Sequence, residues 1–82
     1  MVELTVVWVN SSKVLAQDAL LKQVEDTSQQ IHVLCGVVPS WVGSDSNGQG
    51  DAIVEFFSLP EAQVAEDMLV AAGFISHGLT SD

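Results

Sequence analysis

The segment from Gly50 to Gly73, GDAIVEFFSLPEAQVAEDMLVAAG, constrains the fold more than any other part of the chain. Ile53, Val54, Phe56 and Phe57 give Asp51 to Phe57 the β-branched and aromatic content of a strand. Ser58 and Glu61 have the spacing of a capping box. In that motif the Ser hydroxyl accepts from the Glu61 backbone N–H, and the Glu carboxylate accepts from the Ser58 N–H. A helix over Pro60 to Ala72 follows, with Ala62, Ala65, Met68, Leu69 and Ala72 inward and Gln63, Glu66 and Asp67 facing water. Gly73 stands where a left-handed C-cap belongs.

The rest of the chain supplies the elements this unit needs for company. Glu3 to Val9 alternates, with Leu4, Val6 and Trp8 on one face and Thr5, Val7 and Val9 on the other. Asn10, Ser11 and Ser12 are N-cap residue types. From Lys13 to Asp26 a helical wheel gathers Val14, Ala16, Leu20, Leu21 and Val24 on one side. Asp18 and Lys22 lie opposite, in the favourable i,i+4 order. Gln30 to Val38 is nearly continuous in apolar residues and reads as a second strand, stopped by Pro39. Ser40 to Gly50 is dense in turn formers and reads as a loop. Phe74 to Leu79 has room for a final short strand. The order is β-α-β-β-α-β over residues 1–82, a single α+β domain of ferredoxin-like, split-βαβ type: one antiparallel sheet with two helices on one face.

Composition narrows the function classes. At 82 residues the chain is near the lower limit for a core without staples, yet 48% is hydrophobic and the mean hydropathy is +0.35. The balance implies a well-filled core or an apolar surface covered by a second chain. Eleven acids face two lysines and no arginine, for a formal charge of −9. Such a chain repels phosphate backbones and attracts basic protein surfaces. Cys35 is the one cysteine, so no intramolecular disulfide is expected; with no basic leader before the first apolar run, a cytoplasmic location follows.

The element order leaves one sheet face without helices. By alternation that face carries Thr5, Val7, Val9, Ile53, Glu55 and Phe57, together with alternate residues of the second strand. An open antiparallel sheet ordinarily shows polar residues there, so an apolar face asks for a cover. A second copy packing sheet to sheet, as a homodimer, is one cover; a different protein is the other.

QGDAIVEF at Gln49 to Phe56 resembles the ribonucleoprotein motif on the third strand of RNA-recognition-motif domains. SLPEAQVAEDMLVAAG resembles their second helix, and VVWVN at Val6 to Asn10 the shorter motif of their first strand. In that family the sheet face bears a basic residue and aromatics on which bases stack. Those positions fall here on Gln49, Asp51, Ile53 and Val7, with neither an aromatic nor a positive charge. Base stacking worth roughly 1–3 kcal/mol per base is therefore missing, and the electrostatic term has the wrong sign. Members that lost these residues commonly bind proteins, which is what the resemblance implies for this chain.

Other constellations have ordinary explanations. Asp45, Asn47, Gln49 and Asp51 alternate oxygen-bearing side chains around Gly50, like the opening of an EF-hand calcium loop. Phe56 stands where the closing acid belongs, which favours a plain hairpin turning at Asn47-Gly48. His32 and Cys35, three apart on a strand, point to opposite faces and do not chelate together. No metal, cofactor or catalytic triad is expected, and the absence of arginine removes the phosphate grip of ferredoxin-like acylphosphatases.

Three functions follow as expectations. The first is a non-catalytic protein-binding domain that docks on a larger partner. Its contact residues are Val7, Val9, Ile53, Glu55 and Phe57 on the sheet, Glu61, Glu66 and Asp67 on an acidic helical surface, and Trp41 as a loop anchor. By analogy, a chain this short and acidic is similar to phage inhibitors of nucleic-acid-binding machines, such as anti-CRISPR proteins. The second is a regulatory homodimer resembling ACT domains, with a small ligand at the Asn10–Ser12 turn. The third is a residual RNA-binding domain.

Overall fold

A computed structural model describes residues 1–9, 17–45 and 49–81, without the side chains of Val9 and Gln17. The order of elements is β1 (Val2–Val9), α1 (Gln17–Cys35), β2 (Trp41–Ser44), β3 (Gln49–Phe56), α2 (Leu59–Ala71) and β4 (Ile75–Ser81). Four antiparallel strands form one sheet in the order β2-β3-β1-β4. This α+β arrangement is compatible with a ferredoxin-like fold. Val14, Ala16, the Asn10–Ser12 turn and the Asn47-Gly48 turn lie outside the described residues.

The sheet buries one parity of its residues, as alternation requires. Val2, Leu4 and Val6 of β1 and Ala52, Val54 and Phe56 of β3 are buried together with Ile31 of α1 and Ala62, Ala65 and Leu69 of α2. Both helices therefore contribute to one core on one face. The α2 stripe at 62, 65 and 69 is narrower than the wheel suggests: Met68 and Ala72 are exposed. On α1, Leu20 and Val24 are half-buried while Leu21 is exposed.

The strand expected over Gln30–Val38 is a correction: α1 runs on through Cys35. Leu20, Val24, Thr27, Ile31 and Leu34 continue one helical stripe, with Thr27 and Ile31 buried, whereas Val33 is 72% exposed. A β-branched residue costs a helix at most about 0.7 kcal/mol. Burying Ile31 returns roughly 1.5–3 kcal/mol, so the core decides against local propensity. Gly36, at φ +73°, takes the left-handed conformation that ends the helix.

The hairpin is the second correction. Trp41–Ser44, within the segment expected to be loop, is a strand paired with β3, and Ser40 N–H extends the ladder to the Ile53 carbonyl at 2.8 Å. Gly43 leaves room within it for an aromatic ring. A Cβ there would lie 2.4 Å from the Trp41 indole, which folds back along its own strand over Gly43. The sixth element forms, as β4.

Ser58 is the N-cap of α2 and Pro60 stands in its first turn, but the Ser58 side chain makes no capping bond, so the capping box is not formed. The other end is a complete Schellman motif. Gly73 N–H donates to Val70 O at 3.1 Å and Phe74 N–H to Leu69 O at 3.0 Å, with Gly73 at φ +105°. This delivers Phe74 into the core edge-on to Trp8, with ring centroids 6.2 Å apart.

Candidate functional site on the open sheet face

Register places the residues of the face opposite the helices. Across the sheet, one row runs from Trp41 of β2 through Ile53 of β3 and Thr5 of β1 to Gly78 of β4. The next runs Gly43, Asp51, Val7, Ile75, and the Trp41 indole fills the space left by Gly43. A third pairs Glu55 with Glu3 and then Thr80. Trp41, Ile53, Val7 and Ile75 thus form an apolar band, with Trp41 50% and Ile75 53% exposed. No described element lies over it.

A bulge in β4 adds a further group. Thr5 pairs with Gly78 and Val6 with Ser76, which leaves His77 as the extra residue. Gly78 supplies the positive φ, +105°, and its N–H is held by Ser76 Oγ at 3.1 Å. Ser76 Oγ in turn donates to a Glu66 carboxylate oxygen on α2. His77 consequently joins Val7, Trp41 and Asp51 in lining a cleft at this end of the sheet, which Trp8 and Gly50 of the opposite parity also line.

Of the expected contact residues, Val7, Ile53, Glu55 and Trp41 are brought together on this face. Val9, paired with Gln49, shares their strand parity. Phe57 lies just beyond the strand expected to include it: β3 ends at Phe56, and Phe57, 86% exposed, follows at the end where β3 meets Val2. At ~3.3 Å per residue it stands about 20 Å along the chain from Asp51, away from the cleft. Glu61 and Asp67 are exposed on α2, but Glu66 is half-buried and occupied by Ser76, so it serves the helix–sheet contact. Ile75, His77 and Glu3 were not anticipated: the first two depend on the β4 bulge, and Glu3 on its cross-strand neighbour.

That neighbour carries the electrostatics. Glu3 and Glu55 stand directly opposite each other, half-buried, with Asp51 further along the same face of β3. Like charges in directly opposed pairs destabilise a sheet. Ser40 Oγ donates to Glu55 Oε1 at 2.7 Å but brings no positive charge. The described lysine, Lys22, is on α1. Replacing Glu3 by Gln is therefore expected to raise stability by about 0.5 kcal/mol, a gain that shrinks in high salt. Urea midpoints of the two proteins at low and high salt measure this; a lower midpoint for Glu3→Gln would contradict it.

His32 and Cys35, now on a helix, share a side of α1 instead of pointing apart. Even so, no group of three His, Cys, Asp or Glu able to hold a metal occurs among the described residues. The segments flanking the calcium-like loop are strands, with Asp45 N–H donating to Gln49 O at 2.7 Å and Gln49 N–H to Asp45 Oδ1 at 3.0 Å. Cys35 lines an apolar groove with Val37, Phe56, Pro60, Val64 and Met68, and burial raises its thiol pKa above the ordinary value. Its thiolate is correspondingly scarce at neutral pH, so iodoacetamide should label the native chain more slowly than the urea-unfolded chain. Equal rates at the same pH would contradict that environment.

No helix among the described residues is long and apolar enough to cross a membrane. Searches of protein-family models, curated proteins and solved structures gave no match to this chain.

Proposed function

We propose that this chain is a non-catalytic protein-binding domain of ferredoxin-like type that docks its open sheet face on a basic surface of a larger protein. The fold assignment is supported by interleaving: β3 lies between the strands joined through α1, and β1 between those joined through α2, as in a split βαβ. The observation that carries the function is the band Trp41–Ile53–Val7–Ile75, over which no described element lies, with Asp51 set within it between Gly43 and Val7 and with Glu3 and Glu55 at one border. An apolar centre with a polar rim is the anatomy of a protein interface. The directly opposed glutamates lower stability in the free chain, and a cationic partner turns that cost into affinity.

Charge also selects among partners. A second copy packing sheet to sheet would bring Glu3, Asp51 and Glu55 near their own duplicates in a chain of net charge −9. Strand addition has poor templates, because edge strand β2 has four residues and edge strand β4 is bulged. Single-stranded RNA meets Asp51 and Val7 where a cation and an aromatic would be needed. Basic protein surfaces are frequent on nucleic-acid-binding proteins, which we propose as the partner class. Affinity capture from the source cell with wild type and Ile53→Lys as parallel baits tests the proposal. A partner bound by the wild type and absent from Ile53→Lys is expected; equal recovery on both baits would overturn the sheet-face assignment.

A further inference from the structure

We propose that the cleft at the Trp41–Asp51 end of the open face is a recognition site for an arginine side chain of the partner, an inference that rests on the docking assignment above. The cleft has a volume of about 590 Å³, within the range of roughly 300–1,000 Å³ typical of ligand clefts. Val7, Trp41, Asp45, Asp51 and His77 are among its lining residues. The Trp41 indole is placed by backbone geometry: it lies over Gly43, and Gly43 is the cross-strand partner of Asp51. Directly paired positions on one face have Cβ atoms about 4.5–5.5 Å apart, so ring and carboxylate are neighbours across the strand pair.

That combination matches one chemistry. A guanidinium is planar, stacks on an indole face and offers paired N–H donors to a carboxylate at its edge. Asp51 is the acceptor aligned with the ring. Asp45, whose Oδ1 already accepts from Gln49 N–H, adds a second negative charge at the mouth. Val7 forms an apolar floor for the aliphatic stem. The chain contains no arginine of its own, and its described lysine, Lys22, is on α1.

The test uses N-acetyl-arginine amide as the probe and the uncharged N-acetyl-norleucine amide as its size-matched control, each titrated into the ¹⁵N-labelled chain. Saturable shifts are expected for the Trp41 indole N–H and for the Gly43 and Asp51 amides with the arginine probe alone. Asp51→Asn, which keeps shape and removes charge, should weaken binding about tenfold, as expected when a hydrogen bond to a charged group is lost. Gly43→Ala, which forces the indole off its seat, should weaken it about fivefold, in line with a lost cation–π contact. Equal shifts from the norleucine control, no shift with the arginine probe, or an unchanged affinity of Asp51→Asn would each overturn the assignment. A basic partner that still docks on the face while the arginine probe leaves the cleft unmoved would reject the cleft and retain the docking face.

Discussion

Gly50→Val should unfold much of the population, with a loss of about 3 kcal/mol or more, at the upper end for overpacked cores. Gly50 pairs with Trp8 on the helix-facing side of the sheet. A Cβ at Gly50 would lie 2.1 Å from the Trp8 ring and 2.5 Å from the Gly43 carbonyl oxygen. Trp8 is held by Phe74 and the carbonyl belongs to the paired backbone of β2, so neither neighbour yields without breaking the hairpin. Gly43→Ala is the control. Its clash is only with the Trp41 indole, half of which is in solvent and can swing away, so a loss below about 1 kcal/mol is expected. Urea unfolding of the two variants reads the contrast. Similar midpoints would mean that Trp8 does not occupy the space over Gly50.

Ile31→Ala is the second large effect, with an expected loss of about 2–5 kcal/mol for a fully buried side chain. Val33→Ala should change stability by less than about 0.5 kcal/mol, because Val33 is exposed on the outer side of α1. The pair distinguishes the two conformations of this segment. In a strand, residues 31 and 33 share a face and both substitutions would cost alike. In the helix only one of them reaches the core. Comparable losses at both positions would contradict the helix.

This segment also marks where the sequence is hardest to interpret. Thr27 occupies a core position, which interrupts the apolar stripe of α1 just where it needs to continue toward Ile31 and Leu34. The run from Ile31 to Val38 is then locally stronger as a strand, and only the packing of α1 against α2 and β2 decides otherwise. β2 is obscured for a related reason. Gly43 and Ser44 belong to turn composition, yet Gly43 is a strand glycine because the Trp41 ring takes its side-chain volume, a contact outside any local propensity.

By contrast, β1, β3 and α2 are legible because alternation, helical spacing and the Gly73 cap agree with the tertiary structure. The same holds for the site. Val7, Ile53 and Glu55 follow from parity alone. Trp41 stands out as an aromatic in a Gly/Ser-rich segment though not as a strand residue. Ile75 and His77 require the bulge at Gly78, and the Glu3–Glu55 opposition requires the β1–β3 register, neither of which a single strand encodes. At Phe57 the strand pattern runs one residue beyond the last paired position.

The most direct test of the docking face is an amide shift map of the ¹⁵N-labelled chain titrated at low salt with an arginine-rich peptide of alternating Arg and Leu. The predicted result is a contiguous set of shifts at Thr5, Val7, Gly43, Asp51 and Ile53 that diminishes in high salt and is lost in Ile53→Lys. Shifts confined to Glu25, Asp26, Glu61 and Asp67 on the helices, with the sheet unmoved, would contradict the proposal.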